Sequence, residues 1–129
     1  MTMNPTIRCL GYNAYGQLGI GSATNIGDNV GEMANVTGSS CRTIEVGGSS
    51  AMVEVIHAGL DHTCAIVNGS GPWCWGYNND GQLGIGSTTN VGDTAGSMMS
   101  LSGISVAGGA SCLIVRSMCV CEILRELIV

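Results

Sequence analysis

Residues Cys9 to Met33 and Cys74 to Met98 are two copies of one text offset by 65 positions, with 17 of 25 positions identical. A period of this size marks an array of supersecondary units, each of which leans on a neighbour to bury its apolar face. The repeat unit is therefore what must be explained, and a solution that buries one copy must be able to bury the next.

Local pattern says what kind of unit it is. Short apolar segments alternate with glycine-rich connectors, and 21 Gly, two Pro, no Phe and no Lys leave few helix formers before residue 117. Ile7 to Leu10, Thr43 to Val46, Met52 to Ile56, Thr63 to Val67 and Trp73 to Trp75 read as strands, being short, rich in β-branched or aromatic residues and bounded by turn residues. The run Asn68-Gly-Ser-Gly71 suits a tight reversal, so 62–67 and 72–76 form the clearest hairpin. Strands this short, in a repeat this long, point to an all-β propeller or a β-solenoid.

Ala58-Gly-Leu-Asp-His-Thr-Cys-Ala-Ile-Val67, Trp73-Cys-Trp-Gly76, Tyr77-Asn78 and Gly81-Gln-Leu-Gly-Ile-Gly86, in that order, resemble the regulator of chromosome condensation repeat. The signature positions are Gly59, His62, Thr63, Trp75, Gly76, Asn78, Gly81, Gln82, Leu83, Gly84 and Gly86. The first copy repeats the second half of that signature with Gly11, Asn13, Gly16, Gln17, Leu18, Gly19 and Gly21. Ala107-Gly108 and Ser111 to Val115 echo its first half. The resemblance covers roughly residues 7–116 and implies a β-propeller with about four strands per blade. It also implies a structural use of His62, hydrogen-bonded between blades.

The departures bound the expectation. His57 stands where the family has a small residue, and no role is assigned to it. Gly109-Ala110-Ser111 replaces the Leu60 to Thr63 stretch, and Cys74 to Cys112 is shorter than Cys9 to Cys64. The expected organisation is a partial propeller over 1–116, made of repeats 7–71 and 72–116, followed by a tail over 117–129. That is about two blades, an incomplete ring with open edges. A fragment of a larger ring is expected, or a homo-oligomer if the chain is complete. In the tail, Val120, Leu124, Leu127 and Ile128 recur at helical spacing among charged residues, which predicts a short C-terminal amphipathic helix.

Seven cysteines leave at least one outside any internal pairing, with Cys41 a candidate. Cys64 and Cys74 fall nearly opposite on the predicted hairpin, so a disulfide between them is possible. The burial preference of cysteine favours reduced core thiols over that bond. Cys9 corresponds to Cys74, which would put its partner upstream of Met1, and Cys112 with Cys121 reads as a decayed version of the same hairpin pair.

Sharper chemistry finds little support. Gly16 to Gly21 lacks the Lys-Ser/Thr and the helix of a phosphate loop, Gly76 occupies the first ligand position of any calcium loop at Asn78 to Gly81, and Cys119-Val-Cys121 is too tight for zinc. Asp61, His62 and Cys64 supply a base beside a thiol with no oxyanion donor. No catalytic residue, cofactor or metal is therefore expected. Asn35-Val-Thr37 and Asn68-Gly-Ser70 are glycosylation sequons by pattern.

Nine carboxylates against four Arg give a net charge of −5 with no basic stripe, which argues against nucleic acid and against an anionic membrane surface. Met1 to Thr6 has neither a basic nor an apolar leader segment, so a soluble cytoplasmic or nuclear chain is expected. The functional expectation is a non-catalytic module that binds another protein, with the glycine-rich stretch Asn25 to Ser40 as a contacting loop. The alternative, guanine-nucleotide exchange on a small GTPase, comes from the family resemblance alone, because surface loops rather than fold confer that activity.

Overall fold

The computed structural model describes residues 6–32, 44, 46, 52–67, 71–104 and 120–124. The chain is all-β: β1 (Thr6–Leu10), β2 (Val53–Ala58), β3 (His62–Val67), β4 (Gly71–Gly76) and β5 (Val120–Leu124). A 3₁₀ turn spans Ser97–Ser100. The strands form two antiparallel sheets, β2-β3-β4 and β1-β5.

The three-stranded sheet holds the predicted hairpin. Its register sets Thr63 opposite Trp75 and Cys64 opposite Cys74. β2 joins β3 through Gly59-Leu60-Asp61, a reversal closed by the Gly59 N–H donating to the His62 carbonyl at 2.6 Å. A Cβ at Gly59 would fall 2.4 Å from the His62 ring, so any larger residue there would have to push the imidazole aside. The register slips between Val53 and Val55, a bulge that leaves Glu54 exposed at the outer strand.

Strand alternation gives the hairpin two buried faces. Ala65, Val67 and Trp75 face one way and join Ile7, Cys9, Leu18, Ile44, Val46 and Val53 in the main core. Cys64 and Cys74 face the other way and pack with Leu83, against Ile85 and Ile104. The first face binds the N-terminal copy of the repeat, and the second binds the hairpin's own glycine loop.

The repeat in sequence is a repeat in pairing. Gly11 bridges Ile26, and 65 positions later Gly76 bridges Val91. The Ile44 N–H donates to the Ile7 carbonyl, as the Ile104 N–H does to the carbonyl of Pro72, the counterpart of Ile7. Ile44 is the described part of the predicted strand Thr43 to Val46 that pairs, and it does so as an isolated bridge. Between these counterpart pairings the second unit is already shorter, with 13 positions from Val91 to Ile104 against 18 from Ile26 to Ile44.

The tail corrects the sequence expectation. Instead of a helix over 117–129, residues 120–124 are β5, antiparallel to β1. The apolar spacing fits a helix, but Val120 and Ile123 are β-branched and a short apolar run is ambiguous by period. Unpaired backbone donors and acceptors along β1 decide the matter, because a strand satisfies them and a helix does not. Cys121 consequently lies opposite Cys9, and Cys112, its expected hairpin partner, lies outside the described residues. Residues 33–40, Cys41, the sequons' Asn35 and Asn68, the echo at 107–115 and residues 125–129 lie outside the described residues.

Candidate functional site

The best-built polar site is the glycine loop that follows each hairpin, and its anchor is one asparagine. Asn13 is fully buried, and its side-chain N–H groups donate to the carbonyls of Ser22 at 2.7 Å and Thr24 at 2.9 Å. Its Oδ1 accepts the Leu18 N–H at 2.8 Å, and its own N–H donates to Asn25 Oδ1 at 2.9 Å. Asn78 repeats the set: donation to Ser87 and Thr89 at 2.7 and 2.9 Å, acceptance from Leu83 at 3.0 Å, and donation to Asn90 at 2.9 Å. No other side chain has two donors and an acceptor on so short a stem, which is why the signature requires Asn at both positions.

This geometry turns the loop into a socket. In the first copy the Gln17 carbonyl accepts the Thr63 hydroxyl at 2.8 Å and the Trp75 indole N–H at 3.0 Å, both from the next unit. The Gln17 side chain reaches the Asp61 carboxylate at 3.4 Å. The Gly21 N–H donates to the Gly92 carbonyl at 3.0 Å, a further tie to the second copy. Gly16 lets the backbones meet: its φ is +80°, and a Cβ there would sit 2.2 Å from the Asp93 nitrogen. Trp75 and Thr63 are fully buried by this docking.

The second socket has the same shape and a different environment. Gly81, Gly84 and Gly86 keep the φ values of Gly16, Gly19 and Gly21 within a few degrees. Gly16 and Gly19 are nevertheless buried, whereas Gly81, Gly84 and Gly86 are exposed. A Cβ at Gly81 would meet nothing within 4 Å. Of the signature residues, Gly11, Asn13, Gly16, Gln17, Leu18, Gly19, Gly21, Thr63, Trp75 and Gly76 thus meet at or border one interface. Asn78, Gly81, Gln82, Leu83, Gly84 and Gly86 form its counterpart, in which Asn78 and Leu83 are buried and the three glycines are exposed.

Other residues settle into structural places. Cys64 and Cys74 are disulfide-bonded with Cα atoms 4.1 Å apart, contrary to the expectation of reduced thiols. Direct opposition on adjacent strands brings the sulfurs together, and this outweighs the tendency of cysteine to pack as a small apolar side chain. Cys64 is therefore no nucleophile for the Asp61-His62 pair. The His62 imidazole lies over Gly59, and the buried hydrogen bonds from this hairpin to the first copy come from Thr63 and Trp75 instead. Burial holds His62 below its ordinary range near 6.5, against a smaller upward pull from Asp61. Trp73 is half-buried and Trp75 fully buried, and, two residues apart on β4, both pack on the main core from the same face of the strand.

Two arrangements escaped sequence reasoning. Tyr15 packs on Tyr77 at 4.8 Å between ring centroids, and Tyr12 meets Tyr15 edge-on at 6.3 Å, so all three tyrosines of the chain form one row. The signal was present, since Tyr12 and Tyr77 occupy one repeat position. Glu32 and Ser97, also 65 apart, differ in chemistry yet share a task. Glu32 Oε2 accepts the Gly27 N–H at 2.7 Å, and Ser97 Oγ accepts the Gly92 N–H at 2.9 Å. Backbone N–H groups of Asn29 and Gly27 lower the Glu32 carboxyl below its ordinary range.

Among the described residues, no group of three or more His, Cys, Asp or Glu is placed to hold a metal ion, and no helix is long and apolar enough to cross a membrane. Neither a protein-family model nor a curated protein matches the chain.

Proposed function

We propose that this chain is a non-catalytic, propeller-type repeat module that binds protein through its exposed second socket. One observation carries the reading: in loops of identical sequence, Gly16 and Gly19 are buried by a neighbouring repeat, whereas their counterparts Gly81 and Gly84 are exposed. A loop whose first copy takes a Thr hydroxyl, an indole N–H and a close backbone approach is suited to take the same from another repeat-bearing chain or a second copy. Backbone hydrogen bonding and a glycine surface give such contacts their register. The resemblance to the regulator of chromosome condensation repeat, the two-sided sheet and the inter-repeat docking agree with blades of a propeller. The chain supplies about two of them.

The test is sedimentation velocity over a wide concentration range, combined with amide hydrogen exchange. Association that protects amides 81–86 and is abolished by Gly81→Asn supports the reading, because Asn tolerates a positive φ and its Cβ would meet nothing within 4 Å in the isolated chain. A monomer at all concentrations, or association indifferent to Gly81→Asn, counts against docking of a second copy at this socket. Acceleration of guanine-nucleotide release from a small GTPase by the chain would instead favour the exchange alternative.

A further inference from the structure

We propose that Cys9 and Cys121 form a second cross-strand disulfide, equivalent to Cys64–Cys74, that staples the C-terminal strand to the N-terminal one. The proposal is independent of the function above. Its first support is register: β3 and β4 set Cys64 opposite Cys74, and β5 and β1 set Cys121 opposite Cys9. Residues directly opposite on antiparallel strands have Cα atoms roughly 4.5 to 5.5 Å apart, within the range of about 4.4 to 6.8 Å that a disulfide spans.

The second support is that the two strand pairs are the same object. Cys9-Leu10-Gly11 aligns with Cys74-Trp75-Gly76, and both continue into the same bridge, Gly11 to Ile26 and Gly76 to Val91. Through the register, Cys121-Glu-Ile-Leu124 then takes the place of Cys64-Ala-Ile-Val67. β5 therefore supplies the first half of the hairpin that β1 alone lacks, so the partner of Cys9 lies downstream in the chain rather than before Met1.

The third support is packing. Cys74 lies in one buried cluster with Leu83, and Cys9 lies in the other with Leu18, the counterpart of Leu83. Because Cys9 is only 3% exposed, the bond must form while the strands assemble. A thiolate of the pair attacks a disulfide oxidant such as glutathione disulfide and releases one glutathione thiol. The second cysteine thiolate then attacks the mixed disulfide and releases the other, so the pair loses two electrons and two protons and the oxidant gains them.

Peptide mapping of the oxidised, unreduced chain tests this. Arg8, Arg42, Arg116 and Arg125 place Cys9 in tryptic peptide 9–42 and Cys121 in peptide 117–125. In a Cys41→Ser, Cys119→Ser background, the expected result is one species joining these two peptides, resolved by reduction. In the same background, Cys121→Ala should yield peptide 9–42 alkylated on Cys9. Recovery of an alkylated peptide 9–42 from the background protein, or its linkage to peptide 43–116, overturns the proposal. Should Cys121→Ala fail to fold, the map of the background protein decides alone.

Discussion

Gly16 and Gly81 share repeat position and backbone conformation, with φ of +80° and +75°, but differ in what a methyl group would strike. Gly16→Ala and Gly81→Ala therefore carry the same conformational penalty, roughly 1–2 kcal/mol for an L-residue in the left-handed region. The Gly16 methyl must also displace backbone, with the Asp93 nitrogen at 2.2 Å, the Gly92 carbonyl carbon at 2.4 Å and the Asp93 Cα at 2.7 Å. Overpacking of this kind costs about 1–3 kcal/mol. Parting the two copies would further strain the bonds from Gly21 to Gly92 and from Thr63 and Trp75 to Gln17, each worth about 0.5–1.5 kcal/mol net. Gly16→Ala should exceed Gly81→Ala by about 2–4 kcal/mol. Urea unfolding followed by tryptophan fluorescence reads this directly, since both Trp73 and Trp75 lie in the hairpin the socket covers. With a slope of about 1–3 kcal/mol/M, the two midpoints should differ by on the order of 1–2 M. Equal midpoints would show that the first socket is not the joint between repeats.

Two further outcomes follow from single side chains. Asn13→Ala leaves two carbonyls and the Leu18 N–H without the partners they have now, in a fully buried setting. It should cost about 2–4 kcal/mol in equilibrium unfolding, and a loss below about 0.5 kcal/mol would remove Asn13 from its anchoring role. Because burial lowers the His62 pKa below its ordinary 6.5, the unfolded chain binds that proton more tightly than the folded one. This contribution to stability is undiminished above pH 6.5 and is lost as pH falls from there through the depressed folded value. His62→Gln should flatten the pH dependence of unfolding over that acidic window, and an unchanged slope would exclude His62 as its source.

How much could be read in advance depended on how local the cause was. The β3–β4 hairpin was legible because its turn residues and alternation are written in consecutive positions. The all-β class was legible from short apolar runs and glycine punctuation. The C-terminal strand was not, because Val120 to Leu124 satisfies two periodicities and the choice belongs to the open backbone of β1, more than 100 residues away. The pairing of Cys64 with Cys74 was legible as a juxtaposition, while its oxidation was not. The tyrosine row spans two repeats and a non-repeated position, so only half of it had a signal.

The sequence by itself determined the repeat unit, its two glycine sockets and the asparagine that shapes each of them, because those depend on hydrogen bonds spanning a dozen residues or fewer. Tertiary structure decided that Gln17 receives Thr63 and Trp75, that β5 completes β1, and that one socket is covered while its copy is exposed. The physical reason is that two identical loops have identical local energies. What distinguishes them is the presence or absence of a neighbouring repeat, and that is set by where the rest of the chain packs.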